Sequence, residues 1–337
     1  MAHEIFKDNM VYANEVPWHG IGTQVDESIT GAELVSKLKD LSEVQKRPLY
    51  TLDRSGAYIP VTTHQATVRT KDDVILGCVG KGYEVLQDED TVMDMDSFRM
   101  QGLATFETAG LLRDATRFFV MMKITEGNIS LNTPNGKKDL LYTFLCSSHG
   151  HDGSLAEELT PTNIRVVCAN TMGLARAQGK KDKVSFYIKH TRNAQHRLQQ
   201  ALKAFKETII FNKEFAEYAQ TLVDTSFDDK QIVKFVEKLF PAKETGEVTG
   251  GSHKGRYEVA RLFIEGKGHQ ELAIVGTAWG ALNAAYEYYD WERPTKGDSD
   301  FSSMEKKAKM WESSQFSAQI TGKKIEALTS LQEVLAA

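Results

Sequence analysis

Cysteine is scarce in this 337-residue chain: Cys78, Cys146 and Cys168 are odd in number and show no C-x-x-C spacing. That excludes a disulfide framework and a cysteine zinc site, and it fits a reducing compartment. Long apolar runs are also missing. FFVMM falls far short of a bilayer span, and MAHEIFKDNM lacks the basic and apolar regions of a signal peptide, so the expectation is a soluble cytoplasmic protein with no membrane partner. There is no overall excess of positive charge. A formal net charge of -5 argues against a protein that coats duplex DNA indiscriminately, so any nucleic-acid site has to be a local patch. Finally, no Walker loop, G-x-S-x-G elbow, H-E-x-x-H or paired-carboxylate motif is present. No catalytic residue is assigned, no cofactor is expected, and a non-enzymatic role is favoured.

What the chain does have is a concentrated basic segment. From Pro161 to Lys213 it carries Arg165, Arg176, Lys180, Lys181, Lys183, Lys189, Arg192, Arg197, Lys203, Lys206 and Lys213, against only Asp182 and Glu207. A local field of that sign usually faces phosphates, although a solvated helix face is the plain alternative. VSFYIKHT alternates like a strand and the run after Asn193 has helical spacing, so the charge belongs to folded structure. Lys189 and Arg192 fall near the start of that helix, where the macrodipole disfavours cations, and such placement suggests an anionic partner. Within TPTNIRVVCANTMGLAR, small polar groups flank Arg165 and Arg176 in the manner of a phosphate-backbone site, or of a helix cap.

The fold class read from the pattern is α+β: a curled antiparallel β-meander with packed helices, followed by a helical C-terminal region. Three hairpins are expected, QATVRT to VILGCV, LATFETAGLL to FFVMMKIT, and DLLYTFLCSS to LAEELTP, with DEDTVMDMDSFRM as a helix crossing the sheet. IRVVCANTMGLARA predicts a further helix from about Asn163, with β-branched residues clouding its first turn. The expected division is a β-rich core domain over 1–192, a helical extension over 193–241 ended by Pro241, a flexible loop over 242–256, and a helical region over 257–337.

Two smaller groups compete for a functional role. SHGHDGS offers His149, His151 and Asp152, the right atoms for a metal but too few ligands, and equally a sound hairpin turn with Asp-Gly supplying the positive φ. His64 and His190 are the candidates for completing such a site, with nothing in the pattern to favour them. TAWGALNAAYEYYDWER places Trp279, Asn283, Tyr286, Tyr289 and Arg293 at helical spacing, which reads as core or an oligomer interface before it reads as a base-stacking platform. Cys168 lies beside Val166 and Val167, and burial there argues against a nucleophile.

The order VPWHGIGTQV, VGKGYEVLQDED, AGLLRDATRFFV, LLYTFLCSSHGHDGS, LTPTNIRVVCANTMGLA, YIKHTRNAQHRL and GTAWGALNAAYEYYD resembles the phage and plasmid family known as domain of unknown function 932. The resemblance implies a mobile-element origin and a bacterial host cytoplasm, and it supplies no activity. By fold-level analogy, a β-meander backed by a helix with cations at the strand-to-helix passage is similar to Rad52-like and RecT-like single-strand annealing proteins. That analogy implies a homo-oligomeric ring or filament holding single-stranded DNA, working without ATP and alongside a single-strand-binding protein or an exonuclease.

The expectation is therefore a single-stranded DNA-binding protein promoting strand annealing. Arg165, Arg176, Lys189, Arg192 and Arg197 would contact the strand, Lys180, Lys181 and Lys183 would steer it, and Trp18 or Tyr187 would stack a base. The alternatives are a metal-dependent nuclease or hydrolase using His149, His151 and Asp152, and a phage structural or anti-defence protein that binds a host protein.

Overall fold

Apolar residues at every second position make the first half of the chain a set of strands, and runs apolar at every position mark those buried on both faces. The computed structural model describes residues 5–14, 22–155, 157–165, 171–173, 186–187, 194–294, 310 and 317–337. Among them, β1 (Ile5–Tyr12), β2 (Thr23–Gln24), β6 (Ala104–Leu112), β7 (Arg117–Ile124), β8 (Ile129–Asn132), β9 (Lys138–Gly150), β10 (Glu158–Arg165), β11 (Thr171–Gly173) and β12 (Phe186–Tyr187) form one sheet. Its path runs β11-β10-β9-β7-β6-β1-β2, with β12 also on β10 and β8 on β9. From β6 to β10 every pairing is antiparallel. A separate sheet of β3 (Val44–Leu52), β4 (Tyr58–Arg69) and β5 (Val74–Gly80) carries the hairpin that QATVRT and VILGCV predict.

The central strand β7 shows why the sequence there is nearly all apolar. Phe118, Val120, Met122 and Ile124 pack on one face with Phe98 and Leu34, whereas Phe119 and Met121 join Met10, Phe144 and Cys146 on the other. The first face is covered by α1 (Gly31–Lys37), held by a Thr30–Glu33 capping box, and by α2 (Asp88–Met100), the helix expected from the acidic segment. The long helix α3 (Ala194–Asp224) follows, touching this core through Phe205.

Helices α4 (Asp229–Leu239), α5 (Gly250–Glu265), α6 (Ala278–Glu287) and α7 (Ala318–Ala336) enclose a second core with the later half of α3. Ile129, Leu131 and Leu141 of β8 and β9 project into it, so sheet and helices share apolar surface. The aromatic stripe is part of this core: Trp279, Asn283, Tyr286 and Tyr289 are buried. The last turn of α6 widens into a π-helical stretch, Tyr288–Glu292, which stops just before Pro294.

Three local expectations change. Residues 163–165 continue β10 and 171–173 form β11, where the spacing predicts a helix; β-branched Ile164 suits a strand, and β9 supplies a partner along all of β10. The segment 242–256 is not loop throughout, because α5 starts at Gly250 with the Thr249 side chain capping it. The helical region expected over 257–337 is broken between Glu265 and Ala278: Ala273 and Gly276 have positive φ, and Thr277 caps the helix that follows.

Candidate functional site

Alternation along β9 puts Leu145, Ser147 and His149 on one face of the strand, and His151 follows just past its end. This stretch of backbone is clamped from several sides. His151 N–H donates to Thr116 O at 2.8 Å, Gly150 N–H to Leu155 O at 3.0 Å, the Thr67 hydroxyl to His151 O at 2.7 Å and the Tyr83 hydroxyl to Gly150 O at 2.7 Å. Facing it is the first residue of α2. The amide of Gln87 bonds both backbone groups of Val44, each at 2.9 Å, which fixes the helix start against β3 and sets Asp88 over the two imidazoles.

Asp88 Oδ1 lies 2.9 Å from His149 Nε2 and 2.9 Å from His151 Nε2. The two rings meet edge-on with centroids 5.1 Å apart, and Phe118 closes the far side of His149. All three residues are buried, His149 at 0%, His151 at 1% and Asp88 at 6% exposure. Burial alone would push the Asp88 carboxyl up. The charge of His151 and the hydrogen bonds from both rings outweigh it and hold that carboxyl well below the usual carboxylate range. For His149 the balance is opposite: burial outweighs the Asp88 contact and pushes the imidazole down, towards its neutral form.

These three residues are the one group among those described whose ligating atoms, all within 4.8 Å of one another, could hold a metal ion. Asp152 stands apart. Its Oδ1 accepts from the Ser154 N–H at 2.9 Å and hydroxyl at 2.6 Å, an Asx turn that shapes the hairpin. His64 is exposed on β4 and bonds the Thr63 hydroxyl at 3.0 Å. Asp88 escaped the sequence reading because it sits 61 residues before His149, inside an acidic run. A signal was present: Asp88, Val92 and Met95 share one helical stripe, and an acid on the buried stripe of a helix asks for a partner. A hydrolytic metal needs an open position for water and substrate. The near-zero exposure of these side chains does not favour the hydrolase alternative.

Of the basic segment, Arg165 closes β10, Arg197 lies in the first turns of α3, and Tyr187 belongs to β12. Arg176, Lys180, Lys181, Lys183, Lys189, Arg192, Trp18, Cys168 and His190 lie outside the described residues. β11 and β12 both pair with β10, so the chain between β10 and α3 returns twice to one edge of the large sheet. Farther along α3, Lys203, Lys206 and Lys213 are exposed at spacings of three and seven residues, which puts them on a common outer face.

The helical core carries its own buried polar groups. Trp279 Nε1 donates to Asp139 Oδ2 at 2.8 Å, tying α6 to β9. Lys324 of α7 forms a 2.6 Å ion pair with Asp290 in the π-helical stretch and lies 5.4 Å from the Tyr286 ring centroid.

The family model of the domain of unknown function DUF932 matches residues 75–311, more than half of the chain. No curated protein and no solved structure matches it.

Proposed function

The chain belongs to the family of the domain of unknown function DUF932, and from its residues we propose that it binds single-stranded DNA through the phosphate backbone and promotes annealing of complementary strands without ATP. One observation carries this reading: eleven cations against two acids between Pro161 and Lys213, in a chain of net charge -5. Neutralising phosphates releases counterions and needs no base contact, so affinity is expected to fall steeply with salt and to vary little with sequence. The segment 174–185, whose sequence holds Arg176, Lys180, Lys181 and Lys183, is bounded by β11 and β12, both paired with β10, and the lysines Lys203, Lys206 and Lys213 of α3 are exposed, which supports this reading. Arg165, Arg176, Lys189, Arg192 and Arg197 are the proposed strand contacts, with Lys180, Lys181 and Lys183 steering and Tyr187 or Trp18 stacking. A homo-oligomer would extend the tract over a longer strand.

Fluorescence anisotropy of a labelled single-stranded oligonucleotide and its duplex across a salt series tests the proposal. Expected is tight single-strand binding, a steep negative salt slope, and loss of binding on combining Lys189→Glu with Arg192→Glu. Flat curves for both oligonucleotides would discard the reading. Tight binding left intact by the double substitution would move the contact elsewhere on the chain.

A further inference from the structure

We propose that Asp88, His149 and His151 bind a divalent transition-metal ion of the zinc type, which pins the start of α2 to the end of β9. This site is separate from the DNA-binding proposal and does not depend on it. Asp88 Oδ1 stands 2.9 Å from each of the two Nε2 atoms. Atoms that ligate one ion at about 2.0–2.2 Å lie roughly 3 Å from their neighbours. Two imidazole nitrogens and one carboxylate oxygen make a mixed donor set suited to zinc and related borderline ions, whereas calcium and magnesium take oxygen.

The buried Nδ1 of His151 has no hydrogen-bond partner whether its Nε2 faces Asp88 or an ion. The His149 ring is better provided. Its Nδ1 lies 3.4 Å from the Thr91 hydroxyl, the outer contact that orients a metal-bound imidazole. A dication also offsets the buried Asp88 carboxylate.

The surroundings assign a structural role to the ion. Exposure of the three side chains is at most 6%, and the backbone carrying the histidines is bonded to Thr67, Tyr83 and Thr116. A rigid, buried set of three ligands drawn from two elements joins those elements, and its binding free energy adds to folding.

The test uses the full chain without a histidine tag, grown with added zinc, and measures metal by mass spectrometry of the elements. About one equivalent of zinc per chain is expected. Stripping with a strong chelator should lower the melting temperature, and added Zn2+ should restore it. Asp88→Asn keeps an oxygen acceptor for both rings but removes the charge, and retained zinc should fall at least about tenfold, as it should in His149→Gln and His151→Gln. Wild-type protein with no bound zinc, and a melting temperature that neither Zn2+ nor Co2+ moves, would overturn the site even if no variant folds. Zinc retained at full stoichiometry by folded His149→Gln and His151→Gln variants would also overturn it by locating the ion elsewhere.

Discussion

Two ion pairs of identical length show how burial decides what a residue contributes. Lys238 and Glu333 meet at 2.6 Å with side chains 44% and 56% exposed, and Lys324 and Asp290 meet at 2.6 Å with exposures of 3% and 0%. Water screens the first pair, so Lys238→Met should shift stability by less than about 1 kcal/mol. The second pair has no such screening. Lys324→Met takes the partner cation from a carboxylate already inside the helical core, and the expected loss is about 3–5 kcal/mol. Urea unfolding midpoints of the two variants check the contrast, and similar shifts for both would show that Asp290 draws its support elsewhere. The same reasoning explains what was legible at the candidate metal cluster. His149 and His151 were visible as a pair because they stand two residues apart in one short segment. Asp88 was not, because its role depends on a contact across 61 residues that no local pattern records. Nearby Asp152 competed for notice, and its carboxylate is spent on the turn at Ser154.

At the scale of elements, the reading from sequence succeeded where chemistry is local and failed where a partner decides. The hairpins of β4 with β5, β6 with β7 and β9 with β10, and the helix α2, follow from alternation, turn residues and spacing inside each segment. The stretch after Asn163 carries a weak helical spacing, and the long neighbouring strand β9 draws its described part into the sheet. Helix starts are the most local feature of all, and α4 shows one with both halves of a capping box. Asp228 accepts from Gln231 N–H at 2.8 Å while the Gln231 side chain accepts from Asp228 N–H at 2.9 Å. Asp228→Ala removes the side-chain acceptor and should cost about 1 kcal/mol, and Asp228→Asn, which keeps it, should cost much less. Thermal melts of the two variants separate the hydrogen bond from the charge: equal losses would mean that the dipole interaction of the carboxylate dominates.

At the scale of the whole molecule, the question is whether binding follows net charge or the place where charge is displayed. Lys203 and Lys206 are exposed on α3 within the basic segment, and Lys230 and Lys234 are exposed on α4 outside it. Reversing either pair to glutamate removes the same four units of charge from a chain of net -5. A purely long-range effect treats the two double variants alike, and salt screens it within about 10 Å at 0.1 M. A backbone contact does not. Each phosphate no longer neutralised removes about 0.7 from the slope of log affinity against log salt for a single strand. Lys203→Glu with Lys206→Glu should therefore lower single-strand affinity and flatten that slope by about 1.4, and Lys230→Glu with Lys234→Glu should leave the slope unchanged. Equal effects from the two pairs would reduce α3 to a contributor to the general field. An effect of the α4 pair alone would place the strand on the helical region and remove the sheet edge from the interface.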